Sequence, residues 1–74
     1  MSDLNVELVF RTMLAAASDP EVRVWAYMAL TRNRVLASGR VDASHVDRLR
    51  DEYENLCGKL SDAIATGRWS VGLQ

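Results

Sequence analysis

Between Val46 and Ala63, apolar side chains recur at steps of three, four, three, four and three: Val46, Leu49, Tyr53, Leu56, Leu60 and Ala63. That spacing returns to one side of an α-helix every two turns, and no strand keeps it on one face. Cys57 and Ile64 widen one flank of the stripe. The pattern predicts a helix over about 43–66, ~36 Å long at 1.5 Å per residue. A helix with one apolar stripe buries it against other helices, and this directs the chain to an all-α fold.

Two further segments supply those helices. Val6, Val9, Phe10, Met13, Leu14 and Ala17 share one broad face and predict a helix over about 4–17, capped by Ser2 or Asp3. Ser18-Asp19-Pro20-Glu21 is a start signal read in two ways. Either Asp19 caps with Pro20 as the first helical residue, or Ser18 caps and Glu21 reaches back to it. Both open a helix over about 20–38 that Gly39 ends. The middle of this helix, Val24 to Leu30, is apolar on nearly every side, which predicts burial on more than one face. Asp42, with Val41 and Val46 as a hydrophobic staple, or Ser44 with Asp47, starts the third helix, and Gly67 stops it. The expected architecture is one three-helix domain over 1–74: a long antiparallel hairpin of 20–38 and 43–66 with helix 4–17 packed on it. Residues 68–74 form a tail that either docks or stays flexible.

Size limits how this fold is held. A chain of 74 residues buries only about 60 % of its unfolded surface, so its core is marginal and calls for a disulfide, a metal, idealised helix packing or oligomerisation. Cys57 is the sole cysteine and His45 the sole histidine, so neither an intrachain disulfide nor a Cys/His metal site is available. No cofactor and no small-molecule substrate are expected. Close helix packing and association with a second copy or with another protein are the remaining devices, and oligomerisation is the default expectation. Nine basic against ten acidic residues leave a formal charge of −1 and no global attraction to nucleic acid or anionic membrane. The Met-Ser-Asp start lacks the pattern of a signal peptide, and the longest apolar run is too short to cross a bilayer, which gives a cytoplasmic expectation.

Candidate functional residues fall into three groups. The stripe offers Tyr53, Leu56, Leu60 and Ile64 to a partner helix wherever the hairpin leaves them uncovered, the far end around Leu60 and Ile64 being the expected place. The tail adds Trp69 and Val71; Trp69, Val71 and Leu73 either fold back over Met13, Trp25 or Tyr27 or anchor another chain. Arg32, Arg34, Arg40, Arg48 and Arg50 lie near the turn between the second and third helices and present bidentate donors for phosphate or an acidic partner. Ion pairing within the helices, Arg48–Glu52, Arg50–Glu54 and Asp47–Arg50, is the competing use of the same residues. Neither Cys57, ~18 Å along the helix from His45, nor the acidic run Asp51, Glu52, Glu54 is set up for catalysis, and no enzyme is expected.

The hairpin from Tyr27 to Ala65, with its Ala-Ser-Gly turn and leucine-spaced second arm, resembles the small helical co-chaperones of type III secretion needle proteins. The resemblance covers about half the chain and implies a chaperone-like helical hairpin. The expectation from the residues is a protein–protein interaction module: an adaptor, chaperone-like protein or regulatory subunit. A nucleic-acid-associated or phage-type regulatory factor using the Arg cluster is the alternative.

Overall fold

The computed structural model describes residues 3–69 and contains three consecutive helices, α1 (Asp3–Ala16), α2 (Pro20–Ser38) and α3 (Ala43–Ala65). Among the described residues there is no strand. Ser2 as a cap, and Val71 and Leu73 as tail contacts, lie outside the described residues.

Local chemistry accounts for most of the helix ends. Asp19 has extended backbone (φ −78°, ψ 116°), and its carboxylate accepts a hydrogen bond from the Glu21 amide at 2.9 Å. Pro20 takes the first helical position, where a missing N–H leaves nothing unsatisfied. Of the two starts open in the sequence, this is the Asp19 one. Gly39, at φ 70°, ends α2 and returns its amide to the Leu36 carbonyl at 3.4 Å. Asp42 does stand at the start of α3, but its side chain makes no capping bond. Its carboxylate lies 3.9 Å from His45 Nδ1 instead, while its carbonyl accepts from the His45 and Val46 amides.

α3 ends in a Schellman turn. Gly67, at φ 79°, lets the Arg68 amide reach the Ala63 carbonyl at 2.8 Å and its own amide reach Ile64 at 3.2 Å. The Trp69 amide also donates to the Ala63 carbonyl, at 3.3 Å. This reversal carries the Trp69 side chain into the protein, where it is 8 % exposed.

α2 lies between the other two helices and packs on both. Arg34 of α2 reaches Glu7 of α1, and Arg68 beyond α3 reaches Asp19 and Glu21 at the head of α2, so each neighbour runs antiparallel to α2. The backbones of α1 and α3 do not approach closely. They meet through Phe10 and Tyr53, whose rings stand edge to face, 6.1 Å apart at 89°. The core is one cluster: Phe10, Met13, Ala17, Val22, Ala26, Ala29, Leu30, Leu56, Leu60, Ala63 and Trp69. Three alanines on α2 and α3 within it allow the helices to come close.

Two expectations about burial change. Val9 belongs to no buried face; it is exposed, because it sits ~100° around α1 from Phe10, on the flank turned away from α2. The third-helix stripe is most deeply buried at the end expected to be free, at Leu56, Leu60 and Ala63, and only half-buried at Val46 and Leu49. The reason is convergence. The last turn of α1, the first turns of α2 and the reversed Trp69 all meet at the C-terminal end of α3.

Candidate functional site

The stripe residues are spent mostly inside the chain. Leu56, Leu60 and Trp69 are buried core members, Tyr53 is half-buried against Phe10, and only Ile64, at 43 % exposure, faces solvent. Trp69 therefore acts as the docked end of the tail, in the same cluster as Met13, with half-buried Trp25 packed alongside; Tyr27 is exposed and outside that cluster.

The five arginines near the turn do not converge on one point. Arg32 donates to Glu52 at 3.1 Å across the hairpin, whereas Arg34 points to the opposite neighbour and holds Glu7 through two hydrogen bonds of 3.3 and 3.2 Å. Arg48 approaches Glu52 at 3.9 Å and Arg50 approaches Asp47 at 3.7 Å, as the helical spacing predicts. An Arg50–Glu54 pair is not formed among the described residues; Arg50 uses its i−3 neighbour. Arg40 has no ion pair among the described residues and is exposed.

A cation that sequence reasoning passed over is more fully used. The Arg68 guanidinium donates to Asp19 Oδ2 from Nε at 2.9 Å and to Glu21 Oε1 from Nη2 at 2.7 Å. It lies over the Trp25 ring at 5.2 Å, with the Lys59 ammonium 5.6 Å from the same ring. The signal was present in the sequence: an antiparallel hairpin brings whatever follows the third-helix stop beside the Asp19–Glu21 start. Arg68 holds the Asp19 carboxyl below the usual carboxylate range, and Arg34 does the same to Glu7.

Those two depressed carboxyls give a signed pH dependence. Unfolded, Asp19 and Glu7 bind protons at ordinary carboxylate values; folded, they bind them only at lower pH. Their contribution is therefore complete above the unfolded values, about 4 to 4.5, and is lost as pH falls through the folded ones. Thermal melts from pH 6 down to 2 should show Tm falling with acid, and Asp19→Asn should flatten part of that fall. Parallel curves for the two proteins would show that the Arg68 clasp contributes nothing to the pH response.

Cys57 is half-buried on the stripe flank, and burial pushes its thiol pKa up, with a hydrogen bond from Tyr53 opposing and Glu54 adding to the rise. A raised thiol is a poor nucleophile at neutral pH. No grouping of three metal-ligating side chains occurs among the described residues, and no helix there is long and apolar enough to cross a membrane.

Among the described residues, one uncovered apolar surface is a place the stripe did not indicate: the groove between α1 and α2, lined by no residue of α3. Its first depression lies between Leu8, Arg11, Thr12 and Ala15 of α1 and Tyr27, Leu30 and Arg34 of α2. A second, formed by Pro20, Arg23 and Val24, shares Leu14 and Tyr27 with it, so the two are continuous. Leu8, Tyr27 and Val24 stand 59 %, 57 % and 55 % exposed along it. The signal in the sequence was the apolar run Val24 to Leu30, which is apolar on more sides than two neighbouring helices cover. No family model matches the chain, and no characterised protein or solved structure is significantly similar to it.

Proposed function

We propose that the chain is a helical protein–protein interaction module, an adaptor, chaperone-like protein or regulatory subunit that works in the cytoplasm in a self-associated or hetero-complexed state. The observation that carries this reading is the α1–α2 groove, in which Leu8, Val24 and Tyr27 lie exposed on one continuous apolar surface. Single exposed apolar residues are ordinary; what supports the reading is that these three are contiguous and bordered by Arg11, Arg23 and Arg34. Small size adds to the argument, since a chain of 74 residues gains from covering such a surface with a partner.

A nucleic-acid factor acting through the Arg cluster has less support. Arg34 and Arg50 each face a carboxylate of their own, Glu7 and Asp47, and Arg32 and Arg48 share Glu52, at 3.1 to 3.9 Å. A phosphate would have to displace these pairs.

Photo-crosslinking in the cells that make the protein tests the reading. A photoreactive residue in place of Leu8 is expected to give a discrete protein adduct, whether with a second copy or with another chain. The same residue in place of Asp51, exposed on the outer side of α3, is expected to give none. Absence of an adduct at Leu8, or equal labelling at both positions, overturns the proposal.

A further inference from the structure

We infer that the α1–α2 groove receives an acidic amphipathic helix from another protein, an inference that rests on the interaction-module reading above. The argument is charge complementarity along an apolar trough. Three arginines, Arg11, Arg23 and Arg34, border it. Among the described residues, Glu7 is the one carboxylate that answers them: it is hydrogen-bonded to Arg34 and feels Arg11 only through space. The carboxylates at the head of α2 are already committed, Asp19 and Glu21 both being held by Arg68. Arg11 and Arg23 are exposed and have no ion pair among the described residues. The rim is thus net positive on a chain whose overall charge is −1.

The length and chemistry of the trough specify the occupant. From Pro20 to Arg34 the wall of α2 extends ~21 Å, about four turns of a docked helix. Leu8, Val24 and Tyr27 would take apolar side chains repeating at three and four residues, the helix-in-groove mode. Arg23 stands near one end and Arg11 toward the other, neither in an ion pair among the described residues, so acidic residues on the flanks of that helix would meet free cations at both ends.

A second copy of this chain fits poorly. Groove against groove in a two-fold contact opposes the same cationic rims, and like charges across an interface oppose association. The acidic helix α3 exposes Asp47, Asp51, Glu54 and Asp62, but among the described residues its one exposed large apolar side chain is Ile64. It has the charge for the groove and lacks the apolar stripe.

The test uses two synthetic 14-residue amphipathic helices with the same leucine spacing, one flanked by glutamates and one by lysines. Binding to the full chain is followed by fluorescence anisotropy at low and high salt. The glutamate peptide is expected to bind at least about tenfold more tightly, with the preference shrinking as salt rises. Arg11→Glu with Arg23→Glu should reverse the preference, and an unchanged circular dichroism melt shows that the double variant folds. Equal affinities, a preference for the lysine peptide, or a preference unaltered in the double variant overturns the inference. So does failure of the glutamate peptide to bind at about 1 mM. A chain that dimerises, and does so through Tyr27 by the criterion that Tyr27→Glu abolishes the dimer, also overturns it and assigns the groove to a second copy. That outcome leaves the interaction-module reading standing; loss of the Leu8 crosslink removes both.

Discussion

Trp69→Ala is expected to lower stability by about 3 to 5 kcal/mol, the cost of removing a large buried aromatic and leaving its cavity. A chain of 74 residues has of the order of 4 to 11 kcal/mol in total, so the loss is a large share of what holds the fold. For a domain of this size each kcal/mol is worth about 4 to 8 °C, and Tm should fall by at least ~12 °C. The magnitude follows from position: Trp69 is 8 % exposed and shares a cluster with Met13, Val22, Leu60 and Ala63, so it closes the core where all three helices converge. Calorimetric or circular dichroism melting checks it. A shift of only a few degrees would mean that the tail is not docked in solution and that Trp69 stands free.

Leu60→Asp should unfold the protein outright at neutral pH. Leu60 is 3 % exposed among apolar neighbours, and no described cation lies in the core cluster to pair with a carboxylate there. The variant loses the transfer and packing contribution of the leucine, about 2 to 5 kcal/mol, and must in addition bury or neutralise a charge. Tyr27→Asp is the contrasting change. At 57 % exposure on the groove it should leave the melt within about 0.5 kcal/mol of the parent while removing binding. The pair separates two ideas that the sequence joins. An apolar residue on the stripe tests folding, and an apolar residue on the open side of α2 tests association. If Leu60→Asp were folded and merely dissociated from a partner, the placement of Leu60 in the core would be wrong.

Most of the architecture was legible because its signals are local. The Asp19–Pro20 start, the Gly39 and Gly67 stops and the stripe from Val46 to Ala63 each act within a few residues, so the helix ends agree with expectation to within a residue or two. The antiparallel hairpin follows from a four-residue connection between α2 and α3, which allows little else. The candidate site was less legible. Tyr53, Leu56, Leu60 and Trp69 were singled out for their chemistry, which marks equally well a residue bound for the core and one bound for a partner. Which outcome each meets depends on whether another helix covers it. Arg32 and Arg34, two residues apart, turn to opposite neighbours, and no local rule pairs Arg34 with Glu7 or Arg68 with Asp19.

The repeating stripe on α3, taken alone, determined that the chain is helical, that its third segment is its longest helix and that this helix must pack. Periodicity is a property of one segment and needs no neighbour. Tertiary structure alone decided that the C-terminal end of the stripe is the buried one, that Trp69 closes the core and that Leu8, Val24 and Tyr27 are left uncovered between α1 and α2. Those outcomes depend on three helices of unequal length, held by two antiparallel contacts, meeting at one end. Apolar area covered at that end is left uncovered on the far side of the central helix.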